Sequence, residues 1–388
     1  VEYNYIDSNA CPNCVEEEPM SSKPAHPQIL NIQDLNFFLG DRLAQFIVKD
    51  IRWSPLRVGI FAYFVFLLIS IINASLSNTL LPNPNFRALL DDFYYWVADT
   101  VLVPLAWGYY VWIVSAPRIV LEELQATGVI TLHKQELEQA HKLLSSHRPT
   151  YGAVALAIVT SGAALYQNAI ANPLWFNANI WSLIAHSLLT GVKAYAAWVT
   201  LIRFLLNAHL FKVILTDVAL HPLHPDKSGG LQPLGSYALR TTYPIALAGS
   251  VAAFTEYWLY LHGELQISFL FQILVALYLL FCPIVFFTPL WAAHSAMRRA
   301  KETLIIKISQ QFNRDFSLAY KELTGPPKGL ADNLEKIKHL QEMHSLAMSF
   351  PVWPFDIATI QRFLLTMSSP VFTIAIPLII NILTKLIT

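Results

Sequence analysis

Charge is scarce in this chain: only 13% of its 388 residues are Asp, Glu, Lys or Arg, where a soluble domain carries about a quarter. That excludes an ordinary soluble organisation, although the length alone would accommodate two or three domains. Net charge is zero, so no global field draws the molecule to nucleic acid or to an acidic partner, and no nucleic-acid partner is expected. Cysteine is limited to Cys11, Cys14 and Cys282, too few for a disulfide framework. Also missing are a P-loop, G-x-G-x-x-G, H-E-x-x-H and G-x-S-x-G, so no motif supports an enzyme. A basic n-region, apolar h-region and cleavage site do not open the chain, and a cleaved signal peptide is not expected.

What is abundant is apolar sequence: 55% of residues, with a mean hydropathy of +0.44. A bilayer core of about 30 Å takes about 20 apolar residues in a helix. Seven stretches meet that length, at roughly 57–76, 93–115, 151–169, 180–203, 240–261, 265–292 and 368–386. None alternates with period two, which disfavours a barrel, and unpaired backbone excludes an open sheet facing lipid. The expected fold is all-α: a polytopic membrane helix bundle of about seven transmembrane helices plus a cytoplasmic helical hairpin. Under that topology 23 of the 26 Lys and Arg fall on one face. Arg87 and Lys385 fall on the other, and Lys193 lies within a span. This positive-inside asymmetry puts the amino terminus in the cytoplasm, in a plasma or bacterial inner membrane.

The chain divides accordingly. Residues 1–50 form a cytoplasmic, loosely ordered tail that is polar and acidic at Glu16, Glu17 and Glu18. Residues 51–292 hold six spans, with a histidine-proline loop at 221–230. Residues 293–350 form the cytoplasmic hairpin, and 351–388 an interfacial helix and the last span. The sixth span is too long for a bilayer and holds Pro283 and Pro289, which should kink it. Its helix should run through Arg298, Arg299 and Lys301 to about Tyr320. Thr324 to Gly329 should break it, and a second helix should follow with Leu330, Leu334, Ile337, Leu340 and Met343 at helical spacing. Asp356 is the expected N-cap of the helix entering the last span. Small residues in spans three and five, including Gly152, Ser161, Ala246 and Gly249, allow close helix crossings or a contact between subunits. Tyr94, Tyr95, Trp96 and Trp175 fall where interfacial anchors belong, although packing alone would explain any one of them.

Ionisable groups at membrane depth cost roughly 2.5–3.5 kcal/mol each and mark function by default. From the rise per residue, Asp99 and His186 lie about 10 Å below the outer surface and Glu256 about 9 Å. Gln272 lies about 12 Å down and Lys193 about 21 Å down. Asp99, His186, Glu256 and Gln272 thus form an outward-opening polar layer with Lys193 below it. His186 and Lys193 are seven residues apart and share a helix face. Such a layer suits a proton or cation, and a fixed lysine at mid-depth favours anions or serves as a counter-ion. The alternative is a set of buried pairs that only hold the bundle together.

Two further patterns involve metal-ligand residue types. His221, His224 and Asp226 lie within six residues, ahead of Ser228-Gly229-Gly230. They have donors for a divalent metal such as zinc, yet Pro222 and Pro225 preclude a regular helix across them, and a stiff elbow accounts for the same residues. Cys11-Pro12-Asn13-Cys14 has the spacing of half a zinc site or of a redox pair, with no second half in the chain. The leading expectation is a channel or transporter for an ion or small solute, embedded in lipid as a homo-oligomer and gated or assembled through the hairpin. The alternative is a membrane-anchored signalling or scaffold protein whose hairpin binds a partner. A membrane metalloenzyme built on His221, His224 and Asp226 is a third.

Overall fold

Helix starts in this protein are written by short polar residues placed just ahead of apolar runs. Ser54 accepts from the Arg57 amide with Pro55 in the first turn, Asp92 accepts from Tyr95 N, and Asn179 accepts from Ser182 N. Each satisfies an amide that the helix itself cannot. The computed structural model describes residues 32, 35–82, 86–170, 174–216, 218, 226, 228–261, 269–323 and 330–387. The chain is all-helical, with no strand among the described residues. The elements are α1 (Arg42–Gln45), α2 (Pro55–Leu76), α3 (Phe93–Ala126), α4 (Lys134–Leu144), α5 (Arg148–Ala169), α6 (Ile180–Ile214), α7 (Gln232–Leu261), α8 (Phe269–Leu323), α9 (Leu330–Ser349) and α10 (Ile357–Ile387).

Five stretches among the described residues are long and apolar enough to cross a membrane: Pro55–Leu76, Tyr95–Ala126, Lys134–Ala169, Ile180–Ile214 and Tyr278–Lys321. The sequence points to seven. Its fifth and seventh spans lie on α7 and α10, which are helical but are not among these five. α8 runs unbroken through Pro283 and Pro289 for 55 residues. α9 packs against α8, where Lys301 Nζ donates to the carbonyl oxygens of Met348 and Phe350 at 2.7 and 2.8 Å. The expected turn at 324–329 lies outside the described residues. The corner at Phe350–Phe355 is non-helical, with Trp353 stacked on His294 at 4.0 Å.

The main core gathers at one end of the bundle. Tyr110, Val114 and Leu121 of α3 meet Phe204, Phe211 and Ile214 of α6, Tyr237 of α7, and Phe286 and Leu290 of α8. The amino-terminal segment joins it, because Ile32, Leu35, Phe37, Phe38, Ala44 and Ile47 are all buried there. This corrects the expectation of a loosely ordered tail up to residue 50. Its last part carries enough apolar side chain to offset its ordering entropy. At the same end Gly40 lies so close to the carbonyl oxygens of Leu144 and Ser146 that a Cβ would sit 2.3–2.7 Å from them.

A second correction concerns the aromatics. Tyr95 and Trp175 are buried, the latter fully, together with Leu89, Ala74 and Phe176. They are therefore packed inside the far end of the bundle and do not serve as interfacial anchors. Large apolar side chains are exposed along α2, among them Leu56, Phe64 and Leu68, and along α5, among them Ile158 and Tyr166. An apolar surface of this extent is stable only when lipid or protein covers it.

Candidate functional site

Lys193 of α6 donates to Asp99 of α3, Nζ to Oδ2, at 2.5 Å. Both side chains are mostly buried, 14% and 17% exposed. Around the pair stand aromatic faces: the ammonium lies 5.2 Å from the Tyr95 ring centroid and 5.8 Å from that of Phe66 on α2. Cation–π attraction to two rings adds to the ionic contact in a site with little water. The residues come from α2, α3 and α6, so the pair ties three helices together at one point.

The contact alters the expected layering. Counting residues sets Lys193 about 11 Å deeper than Asp99, yet the two touch. Helical side chains lean toward the N-terminus of their own helix, and a lysine stem reaches about 6 Å. Cα depth therefore overstates how far apart the charged atoms lie.

Polar atoms next to the pair lack hydrogen-bond partners among the described residues. They are the Ser187 hydroxyl and Nδ1 of His186, both buried, while the Tyr95 hydroxyl interacts with Ser70 and with Asp99 of the pair. His186 stands one layer toward the Asp92 end, stacked on Phe176 at 4.2 Å and edge-on to Trp175 at 5.0 Å. Trp175 is held from three sides. Its indole N–H donates to Asp92 Oδ2 at 3.0 Å, and its carbonyl accepts from the hydroxyls of Thr79 and Ser182. Burial pushes the Asp92 carboxyl above its ordinary value, opposed by hydrogen bonds from Tyr95 N and Trp175 and by the charge of Arg87. Trp175, Phe176 and His186 thus form a packed aromatic cluster at that end of the bundle.

Glu256 lies on α7 and Gln272 on α8, but their side chains are outside what the structure describes. The structure therefore brings Asp99, Lys193 and His186 into one region and leaves the other two members of the predicted layer unplaced. Cys11, Cys14, His221 and His224 also lie outside the described residues. Asp226 is described. Its Oδ1 accepts from Ser228 N and Gly230 N, and its Oδ2 from Gln232 N, at 2.9–3.3 Å. With Gly229 and Gly230 at positive φ, the carboxylate folds the loop into the start of α7. Among the described residues no group of three His, Cys, Asp or Glu could hold a metal ion.

Sequence reasoning missed a second charged cluster. Arg203 of α6 is buried at the core end, with Nη2 3.5 Å from Asp41 Oδ2. Asp41 is fully buried, caps α1 through Ala44 N, and accepts from the Tyr110 hydroxyl at 2.8 Å. Arg203 counts as one more basic residue at the end of a span, and Asp41 sits in the supposed tail, so nothing in the sequence links them. This cluster anchors the amino-terminal segment to α3 and α6.

No known protein family, curated protein or solved structure matches this chain. The reading of its function therefore rests on its own side chains.

Proposed function

We propose that this protein is an integral membrane channel or transporter for an ion or small solute, oriented with its amino-terminal segment in the cytoplasm of a plasma or bacterial inner membrane. The observation that carries the reading is the Asp99–Lys193 pair. As a cross-link it is costly, since desolvating two charges takes back much of their attraction and well-packed apolar residues hold helices together at least as well. Ionisable side chains at this depth mark ion pathways and proton relays. The orphan Nδ1 of His186 and the hydroxyls of Tyr95 and Ser70 next to Asp99 supply sites at which a passing ion, proton or water is received. The arrangement fits a closed state, in which Trp175 seals one side and the pair neutralises itself. Opening separates Lys193 from Asp99 and leaves a fixed charge facing the path. The α8–α9 hairpin then acts as the gating or assembly element, and the apolar faces of α2 and α5 meet lipid or a second copy.

A scaffold reading draws on one observation. Leu334, Met343, Leu346 and Met348 of α9 and Phe316, Leu318 and Tyr320 of α8 are exposed, as a partner-binding surface requires. Flux measurements on purified protein in liposomes separate the two. Transport predicts conductance or exchange under some ion or pH gradient, with selectivity altered in Lys193→Ala. Silence of the wild-type protein under every gradient tried, in vesicles where it is folded and correctly inserted, sinks the transport reading and leaves the scaffold.

A further inference from the structure

Beyond its apolar stretch, α8 turns strongly basic. Trp291 is exposed, and within eight residues come Arg298 and Arg299. Arg299, Thr303 and Lys307 follow one another at intervals of four, so guanidinium, hydroxyl and ammonium share one helix face over about 12 Å. That face lines a cavity of about 380 Å³. Thr216 at the end of α6 borders one side, and Phe350 beyond α9 borders the other.

Three cations, Arg299, Lys301 and Lys307, converge here, with no carboxylate among the described lining residues. Lys301 is committed to the carbonyl oxygens of Met348 and Phe350, which fixes the wall against α9. Arg299 and Lys307 make no ion pair with a carboxylate among the described residues, in contrast to Arg298, which pairs with Glu302 at 2.8 Å. Among the described residues no carboxylate lines the cavity. Among the described residues Glu136 touches the lining residue Thr216, and both its oxygens are engaged, one by the Thr216 hydroxyl and the other by His133 N. Like charges gathered around a concave space repel one another, and an anion relieves that repulsion.

We propose that this cavity binds a phosphate-bearing anion, with Arg299 and Lys307 as its cationic grips and the Thr303 hydroxyl as a neutral donor. A guanidinium fork and an ammonium match phosphoryl oxygens. Their separation along the helix suits a ligand carrying two phosphoryl groups better than a single halide. The volume falls within the range of small-ligand sites. Phosphate of this kind comes from two sources, a phosphorylated lipid headgroup at the membrane surface or a free phosphorylated metabolite. The proposal does not depend on the transport reading.

The test uses the full chain. Inorganic pyrophosphate is titrated calorimetrically into protein in neutral detergent. In parallel, thermal unfolding is followed in phosphatidylcholine nanodiscs with and without phosphatidylinositol bisphosphate. The Arg299→Gln/Lys307→Gln variant is compared with Lys336→Gln/Lys338→Gln, which removes the same charge from exposed positions on α9. Binding should weaken about tenfold or more in the first variant and stay near wild type in the second, with Arg299→Lys intermediate. A response to pyrophosphate alone assigns a soluble ligand, and a response to the lipid alone assigns a headgroup. Responses to both mean that either carrier is accepted. Wild-type protein that answers to neither, or equal weakening in both double variants, overturns the site.

Discussion

Breaking the Asp99–Lys193 pair tests the site most directly. At 2.5 Å and an effective dielectric of about 20, the attraction amounts to about 6–7 kcal/mol. Removing two ions from water takes back several kcal/mol, and the remaining side-chain exposure of 14% and 17% softens both terms. A net coupling of about 2 kcal/mol is expected. Lys193→Met and Asp99→Asn should each destabilise the folded protein by about 3 kcal/mol, because each strands one partner. The double variant should cost markedly less than the sum. Reversible unfolding in mixed micelles, run as a double-mutant cycle, measures this coupling. Strict additivity, or single losses below about 0.5 kcal/mol, would refute the reasoning and show that the two side chains reach water separately.

Other expectations follow from particular contacts. Gly191 packs so tightly on α5 that a Cβ would lie 2.8 Å from Ser161 Cβ and 2.9 Å from the Ala157 oxygen. Gly191→Ala should therefore destabilise the fold by about 1–3 kcal/mol, read as a lowered melting temperature, whereas Gly162→Ala, with nothing within 4 Å, should be neutral or gain up to about 1 kcal/mol. Asp356→Ala removes the cap on α10, where the carboxylate accepts from the Thr359 hydroxyl and amide, and should cost about 1 kcal/mol near neutral pH. Those hydrogen bonds hold the Asp356 carboxyl below its ordinary value. Its contribution is thus complete above the unfolded-state value and fades as pH falls through the folded one, so variant and wild type should converge in acid unfolding curves. Trp175→Ala should admit water to the ion pair and, by cavity formation, destabilise by about 3–5 kcal/mol. Faster labelling of a cysteine placed at Ser187 would reveal the opening, and unchanged labelling would show that Trp175 is not the seal.

Apolar run lengths and charge scarcity, both local properties, point to helices that cross a membrane, and helix ends at Ser54, Asp92, Asn179 and Asp356 are set by side chains acting on their own next turn. Those features are legible in sequence because their physics spans only a few residues. Asp99, His186 and Lys193 stand out there for the same reason, as charge or imidazole inside apolar runs. Tertiary structure alone decided who meets whom. The Asp99–Lys193 contact depends on which helices neighbour and how far a lysine leans. The Asp41–Arg203–Tyr110 cluster joins residues 69 to 162 positions apart, and Trp175 is held buried because Asp92, Thr79 and Ser182 converge on it. Helix packing sets these meetings through side-chain shape and close approach, as at Gly191, and no periodicity in one dimension encodes that choice of partner.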